Sequence, residues 1–218
     1  MILKDLWSEA KQKGWAAGTG ELSGLDRQAA AIGWEAVATR SGEGTTSVLR
    51  PVTRAAANPR SISAVHGLDE QPLHVDGSHM PTPPDAIVLF CKTPNETPTK
   101  LWHFPGRRAV PSMRPPVSSL VHGIFVVGSG TWAFLAPALE GGRLRYDPTI
   151  MEPADARARG AADYLKSVQA DAFTFHWQEP NTFLVINNTS VLHGRASVAE
   201  GDTDREVVRK AFRIGGNQ

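Results

Sequence analysis

The sequence predicts a mostly β fold with flanking helices, an antiparallel double-sheet jelly roll of the cupin-like type. From Thr46 onward, short apolar runs rich in branched side chains are broken by Pro, Gly and Asn, which is typical of strands joined by turns. One helical stretch, Pro153 to Gln169, interrupts these runs, with Asp155 near its start. Many short strands with one long helical interruption indicate a jelly roll, whose interior can enclose a small-molecule site.

Helices are predicted before this strand-rich region, and irregular segments within it. Residues 1–40 are expected to be a helical segment packed on the barrel, with Leu25 to Ala38 as a second helix after a turn at Gly18–Thr19–Gly20. Thr93–Thr99 and Pro105–Pro116 lack strand character and are expected to be loops. The candidate strands are Ser47–Val52, Ser61–Val65, Leu73–Asp76, Ala86–Lys92, Lys100–Phe104, Leu120–Val127, Trp132–Leu135, Arg143–Tyr146, Phe173–Trp177, Phe183–Asn187 and Val207–Ile214.

Length and composition narrow the class of protein. A chain of 218 residues fits a single domain, 1–218, with a core of its own. The net charge of +1 argues against non-specific binding of nucleic acid, which needs a basic excess. The single cysteine, Cys91, favours a reducing cytoplasm. We find no signal-peptide pattern at the N-terminus and no apolar run of membrane-spanning length, so we expect no membrane partner.

Two segments far apart in sequence carry residues that suit a metal ion. His74 and Asp76 stand two residues apart, and on a strand such residues project to the same side. His193 follows a second apolar run and offers another imidazole. Two imidazoles and one carboxylate on one face of the ion are the ligand set of non-haem Fe(II) sites, which keep coordination positions open. This pattern indicates an iron centre that can admit an oxidant and a co-substrate.

Arginines after His193 add a second signal. Arg205, Arg209 and Arg213 recur every four residues, a spacing that places all three on one side of a strand. A guanidinium group can hold a carboxylate through two parallel charge-assisted hydrogen bonds. A cofactor with a free carboxylate is therefore a natural ligand for one of them, whereas Arg213 is interpreted as part of a solvated face.

The chain resembles a short member of the Fe(II)- and 2-oxoglutarate-dependent dioxygenases, in the branch of taurine dioxygenase and clavaminate synthase. The resemblance runs from Leu49 to Ile214 in the order of the family's motifs. The family fold that it implies is a double-stranded β-helix. The segments that carry it are Pro72-Leu73-His74-Val75-Asp76-Gly77-Ser78-His79, Pro83-Pro84-Asp85-Ala86-Ile87-Val88-Leu89, Thr99-Lys100-Leu101-Trp102, Val191-Leu192-His193-Gly194-Arg195 and Arg205-Glu206-Val207-Val208-Arg209.

Roles for individual residues follow from this resemblance. It implies that His74, Asp76 and His193 bind the iron and are the catalytic residues. Arg205 would pair with the distal carboxylate of 2-oxoglutarate, and Thr99 would offer a hydroxyl to the same carboxylate.

Candidate substrate-binding residues are Arg209, Arg195 and Trp102, which match or neighbour the motif segments. Two assignments stay open at this point. Arg205 and Arg209 exchange roles if the register shifts, and Thr97 or Lys100 could stand in for the threonine of the motif.

The resemblance also implies a reaction. An oxygenase of this family uses O2 as co-substrate, releases succinate and CO2 from 2-oxoglutarate, and hydroxylates or otherwise oxidises a C–H bond of a small molecule. An anionic or amino-acid-like substrate would suit the arginines. Asp76 argues against halogenation, because halogenating relatives carry a small residue there.

Two other functions stay open: a zinc hydrolase that also uses His79, and a cupin-like binding protein without catalysis. The short lid segments are compatible with a homodimer.

Overall fold

Antiparallel strands with helices on their outer side make up the described part of the chain. The computed structural model describes residues 2–40, 42–59, 61–104, 106, 116–129 and 132–215. The α-helices are α1 (Leu3–Lys13), α2 (Leu25–Ala31), α3 (Ile62–His66), α4 (Pro116–His122) and α5 (Ala156–Ser167). The strands are β1 (Trp15–Thr19), β2 (Trp34–Val37), β3 (Thr46–Leu49), β4 (Ala86–Cys91), β5 (Asn95–His103), β6 (Phe125–Ser129), β7 (Trp132–Ala136), β8 (Leu139–Glu140), β9 (Arg143–Leu144), β10 (Met151–Pro153), β11 (Phe173–Trp177), β12 (Thr182–Asn187), β13 (Val191–Arg195) and β14 (Val207–Ile214).

The large sheet has six strands in the order β1-β12-β4-β14-β2, and β3 also pairs with β14. β4 lies between β12 and β14 and is buried along its whole length, which explains its uninterrupted apolar sequence. One face of the sheet shares an apolar cluster with Trp7 of α1 and Leu25 of α2. The opposite face carries Ile87 and Leu89 into a second cluster, so both faces are covered.

The small sheet, in the order β11-β5-β13, faces the large sheet. Its residues Leu101, Trp177 and Val191 belong to the same apolar cluster as Ile87 and Leu184 of the large sheet. The two sheets therefore enclose a common core. Polar side chains replace apolar ones at one end of this core, where the candidate site lies.

A third group of elements packs beside the two sheets. Strands β10-β6-β7 form a sheet, and α4 and α5 pack together next to it. Leu120 of α4, Phe125 of β6 and Leu165 of α5 are buried in one cluster, which also contains Leu73 and Leu192 next to the two histidines. Within the described ranges, no helix is both long enough and apolar enough to cross a membrane.

The prediction that residues 1–40 are helical is only partly correct. α1 and α2 are present and pack on the large sheet, but β1 and β2 belong to that sheet. Gly33, at φ +73°, ends α2, and the chain then pairs with β14 as Trp34–Val37. The predicted turn at Gly18–Thr19–Gly20 is wrong, because Gly18 lies in β1 and pairs with Phe183 of β12. These strands form because their backbone groups find partners on distant strands, a tertiary effect that local propensity does not contain.

Other strand predictions also need correction. Ser61–Val65 is wrong as a strand, because the structure has α3 there. Leu73–Asp76 makes one isolated β-bridge instead of a strand, and Leu120–Val127 divides into the end of α4 and the start of β6. Thr93–Thr99 is wrong as a loop, because β5 begins at Asn95.

Proline content explains that last error. Pro98 lies within β5 opposite a register irregularity of β11, and such irregularities are where a strand tolerates proline. Of the predicted loop Pro105–Pro116, all residues except Gly106 and Pro116 lie outside the described residues. The predictions for β4, β11, β12 and β14 are confirmed, with Val207–Ile214 matching at both ends. α5 is also confirmed, and Asp155 caps it by accepting a hydrogen bond from Ala158 N.

Candidate metal centre

The two predicted histidine ligands lie side by side because the segment before Asp76 pairs with β13. His74 N donates to His193 O and His193 N donates to His74 O, each at 2.9 Å. This antiparallel bridge brings the ring centroids of His74 and His193 to 5.0 Å. His74 and His193, which are 119 positions apart in sequence, thus contribute neighbouring imidazoles.

Asp76 completes the group. Its Oδ2 lies 3.5 Å from His193 Nε2, and its Oδ1 lies 3.9 Å from His74 Nε2. Asn188 holds the backbone of Asp76 from both sides, accepting from Asp76 N at 3.1 Å and donating to Asp76 O at 3.0 Å. The potential ligand atoms of His74, Asp76 and His193 all lie within 4.8 Å of one another, and the described residues contain this one group of that kind.

The protonation states of this group suit a metal. Burial would raise the pKa of the Asp76 carboxyl, but the Arg209 guanidinium and the hydrogen bond with His193 hold it well below its usual range. Burial lowers the pKa of the His193 imidazole, and the attraction of Asp76 opposes this only in part. The carboxylate is therefore charged and the His193 ring neutral at physiological pH, the forms in which both side chains bind metals.

The orientation of His74 also fits. Its Nδ1 lies 3.0 Å from Pro72 O, so the ring proton sits on Nδ1 and donates to that carbonyl. Nε2, on the side of Asp76, is then the ring nitrogen that can bind a metal. Two imidazoles and one carboxylate form a set that suits Fe(II) and occupies only part of its coordination sphere. The residues present therefore fit the predicted iron.

Arg209 contacts the Asp76 carboxylate directly. From the inner face of β14, its Nη1 donates to Asp76 Oδ1 at 2.8 Å. Its Nη2 donates to Thr39 Oγ1 at 2.9 Å and lies 3.5 Å from Ser47 Oγ. Sequence analysis assigns Arg209 to the substrate, with 2-oxoglutarate as the alternative. These contacts favour a third role, in which Arg209 fixes the orientation of the Asp76 carboxylate.

Arg195 lines the cavity, but its Nη groups donate hydrogen bonds to backbone carbonyls. Its Nη2 donates to Gly67 O at 2.7 Å and Asp69 O at 3.0 Å, and its Nη1 donates to Ala196 O at 2.8 Å and Leu68 O at 3.2 Å. Burial lowers its pKa to about 10. These bonds hold the segment that follows α3 against β13.

Arg205 and Thr99 both line the cavity near the three ligands. Arg205 Nε donates to Asn95 Oδ1 at 2.8 Å, and Asn95 Nδ2 donates to Cys91 Sγ at 3.1 Å. Within the described residues this bond uses Nε alone, which leaves both Nη groups of Arg205 for a ligand. Thr99 Oγ1 accepts from Trp177 Nε1 at 3.1 Å and keeps its own proton for donation.

Thr97 and Lys100, the alternatives to Thr99 as the residue that offers a hydroxyl or amine to 2-oxoglutarate, bond to other side chains. Thr97 bonds the Asp202 carboxylate through both its N and Oγ1, and Lys100 Nζ donates to Thr174 at 2.8 Å. Trp102 lies on the opposite face of β5, with Phe104 and Tyr164 as ring neighbours, and does not line the cavity. The structure therefore brings Thr99 together with Arg205 but not Trp102.

Two asparagines hold residues of the site, and the sequence assigns neither of them a definite role. Asn188, which is fully buried, holds the backbone of Asp76, and Asn95 holds Arg205. Asn188 is the second residue of the polar Asn187-Asn188 break after a buried strand, a pattern equally typical of a turn cap. Asn95 lies between two prolines in a stretch that resembles a loop, and no signal in the sequence indicates its role.

The candidate ligands His74, Asp76 and His193 line a cavity of about 400 Å³, which is within the size range of small-molecule sites. Apolar walls come from Leu89 of β4 and Val207 of β14. Residues 48–52, 58 and 61–63 form another wall, which includes Arg50, and Arg40 also lines the space. The volume suits a small co-substrate and a small substrate, not a macromolecule.

We predict that Gly194→Ala weakens both folding and metal binding. An added Cβ would lie 2.8 Å from Gln71 O and 3.0 Å from Pro72 O, so β13 and the His74 segment would have to separate. We expect a loss of roughly 1–3 kcal/mol in unfolding free energy, together with weaker Fe(II) binding. Thermal unfolding and Fe(II) titration measure the two effects. Gly201→Ala, where an added Cβ meets no atom within 4 Å, is the control. Equal behaviour of both variants would contradict this account.

Comparisons with known proteins identify the fold. No protein-family model matches the chain, and no curated protein matches it. A solved asparagine oxygenase in complex with Fe(II), 3-hydroxyasparagine and succinate is similar at a TM-score of 0.74 and 19% identity, over 95% of this chain and 77% of that chain. The non-haem iron oxygenase OrfP in complex with Fe and alpha-ketoglutaric acid is similar at a TM-score of 0.71 and 18% identity, over 96% and 78% of the two chains.

A third similar structure is the PvcB protein from Pseudomonas aeruginosa, with a TM-score of 0.68 and 16% identity over 96% of this chain and 79% of that chain. The identities are low, so the likeness concerns the fold. This chain has the fold of non-haem iron oxygenases.

Proposed function

We propose that this protein is an Fe(II)- and 2-oxoglutarate-dependent oxygenase that hydroxylates, or otherwise oxidises, a C–H bond of a small molecule. The observation that carries the proposal is the convergence of His74, Asp76 and His193 in a cavity that also contains Arg205. The fold supports it, because the similar structures include oxygenases with Fe and alpha-ketoglutaric acid or succinate in their sites.

In this function the three ligands would hold iron and leave part of its coordination sphere to other molecules. Bound iron would supply the activation of O2, with 2-oxoglutarate as the reductant that leaves as succinate and CO2. Arg205 would bind the distal carboxylate of 2-oxoglutarate through its two Nη groups, and Thr99 Oγ1 would donate to the same carboxylate. Leu89 and Val207 would exclude water from the reacting atoms.

Finer statements belong to the same proposal. We assign the two facing sheets to a double-stranded β-helix and the chain to one oxygenase domain. Two of the similar structures contain hydroxylated amino acids, 3-hydroxyasparagine and (3S)-hydroxy-L-Arg, which supports an amino-acid-like substrate. The contacts of Arg209 support a role in positioning Asp76. A cytoplasmic location and a homodimer stay predictions.

Anaerobic titration tests the proposal. Apo-protein is titrated with Fe(II) and then with 2-oxoglutarate, and the weak visible charge-transfer band of the chelate is followed. We expect the band in the wild-type protein and none in His74→Ala. Absence of the band in the wild-type protein, with Zn2+ retained instead, would overturn the proposal and favour the zinc hydrolase.

We predict that Asn95→Ala weakens 2-oxoglutarate binding without a change at the iron. Asn95 does not line the cavity, and it acts by fixing Arg205 through the 2.8 Å bond to Nε. Loss of one hydrogen bond to a charged group costs about 1.5–3 kcal/mol. We therefore expect a roughly tenfold or larger rise in the 2-oxoglutarate KM, with kcat nearly unchanged.

Asn95→Asp separates positioning from general damage to the fold, since it keeps an oxygen near Arg205 Nε. This variant should recover most of the 2-oxoglutarate affinity. A fall in kcat equal to the rise in KM, or no recovery in Asn95→Asp, would contradict the role assigned to Asn95.

A further inference from the structure

We propose that the substrate carries an acidic group, a carboxylate, sulfonate or phosphate, and that Arg40 binds this group. The inference rests on the proposed function and names the substrate class for the same cavity. It derives from the charges of the cavity lining and from the contacts that each arginine makes.

The cavity lining is strongly cationic. Five arginines contribute to it, against the single carboxylate of Asp76; they are Arg40, Arg50, Arg195, Arg205 and Arg209. Bound Fe(II) and 2-oxoglutarate carry opposite double charges and leave this excess unchanged. Cationic clefts with low-dielectric walls concentrate anions. The lining therefore favours an anionic second ligand over a neutral or cationic one.

Three of the arginines are already engaged. Arg209 donates to Asp76, Thr39 and Ser47. Arg195 gives its Nη groups to four backbone carbonyls. Arg50 contacts Glu206 Oε1 through both Nε and Nη2.

Arg205 is the fourth, and its Nη groups are assigned to 2-oxoglutarate. Arg40 is then the lining arginine with the weakest partner. Among the described residues it forms an ion pair with Glu43, three residues further along the same turn, at 3.4 Å and with both side chains about a third exposed, 33% and 37%. Such an exposed pair contributes little and yields easily to a better partner.

The backbone places Arg40 close to the metal ligands. Thr39, its neighbour in sequence, is buried, and Thr39 Oγ1 accepts a hydrogen bond from the same Arg209 that bonds Asp76. This connection of Asp76, Arg209 and Thr39 anchors the start of the turn beside the candidate iron site. A guanidinium attached one residue later can hold the acidic end of a molecule whose C–H bond lies at the metal.

The cavity lining also contains neutral polar groups. Gln71 and Ser63 belong to it and bond each other, with Gln71 Nε2 3.2 Å from Ser63 Oγ. An amide and a hydroxyl suit amino or hydroxyl groups of a substrate. The cavity is therefore suited to a small polar acid, of which an acidic amino acid is the simplest example.

Pairs of amino acids that differ in charge test this inference. L-aspartate is compared with L-asparagine, L-glutamate with L-glutamine, and L-cysteate and O-phospho-L-serine represent the sulfonate and the phosphate. L-arginine is the cationic member. The readouts are the perturbation of the anaerobic Fe(II)–2-oxoglutarate band and the release of succinate in air. We expect at least one acid to bind roughly tenfold or more tightly than its amide, the effect of one charge-assisted hydrogen bond.

Two variants identify the residue. Arg40→Gln should reduce binding of the preferred acid roughly tenfold, to the level of its amide, and leave the band with 2-oxoglutarate unchanged. Arg213→Gln, an exposed position of β14, should leave both unchanged. Equal binding of acids and amides, a preference for L-arginine, binding of no acid, or an undiminished acid preference in Arg40→Gln would each overturn the inference. Failure of the proposed function is distinguished by absence of the band before any amino acid is added.

Discussion

Replacing Asp76 with alanine is expected both to abolish Fe(II) binding and to destabilise the fold. Asp76 is the one carboxylate in the ligand group, and it is also the ion-pair partner of the buried Arg209. Removal leaves a guanidinium buried without its countercharge, which costs about 3–5 kcal/mol. The cost should appear above about pH 4, because the pKa of Asp76 in the fold lies below its ordinary value of 3.8. As pH falls through the lower folded pKa, wild type and variant should converge.

A double variant separates the two effects. Asp76→Ala combined with Arg209→Met removes both charges, so much of the lost stability should return while Fe(II) binding stays absent. Urea unfolding and isothermal titration with Fe(II) measure stability and binding in all four members of the cycle. Additive losses in the double variant would show that Arg209 and Asp76 do not interact in the folded protein, against the 2.8 Å contact.

The single variant Arg209→Met tests whether Arg209 orients the Asp76 carboxylate. The ligands stay, so Fe(II) should still bind, but more weakly, because the Asp76 carboxylate loses the donor that orients it. A variant that binds iron as tightly as wild type, yet responds less to substrate, would return Arg209 to the substrate-binding role.

Arg205→Met is expected to raise the half-saturation concentration for 2-oxoglutarate roughly 100-fold. A guanidinium that binds a carboxylate through two charge-assisted bonds contributes about 3 kcal/mol, and each 1.4 kcal/mol corresponds to a factor of about ten. Burial lowers the pKa of Arg205, and the charge of this half-buried group is retained because arginine starts from so high a value. Fe(II) binding without 2-oxoglutarate should not change.

Arg205→Lys is the informative companion. It keeps the charge and loses the planar pair of donors, so its affinity should fall between those of the wild type and Arg205→Met. Titration of the anaerobic Fe(II) protein with 2-oxoglutarate gives all three values. Wild-type affinity in Arg205→Met would show that another arginine of the cavity holds the cofactor.

Elements with buried, repetitive apolar patterns could be predicted from the sequence. β4 and β12 are continuous apolar runs because each is covered on both faces, and β14 alternates as expected, with Val207, Arg209 and Ala211 directed inward. α5 shows both its cap and its apolar stripe locally. Elements whose stability comes from distant partners could not be predicted, such as β2, which exists because Ile214 and its neighbours offer an edge for pairing.

The residue types of the candidate metal centre were likewise visible in the sequence. His74 and Asp76 lie two residues apart, so their spacing indicates that both side chains can face one metal ion. The motif around His193 indicates the third candidate ligand. What each arginine does could not be predicted from spacing, because a guanidinium on the inner face of a strand has several acceptors within reach. Only the folded chain shows that Arg209 reaches Asp76 and that Arg195 reaches the carbonyls after α3.

The sequence alone indicated the candidate ligand set, the strand-rich class and the arginine-rich character of the candidate site, since these depend on residue identity and local periodicity. The tertiary structure decided which polar groups meet. It placed Asn188 against Asp76 and Asn95 against Arg205, and among the described residues it gave Arg40 a weak ion pair with Glu43. The two asparagine pairings depend on packing between segments more than a hundred residues apart in sequence, and no local pattern encodes them.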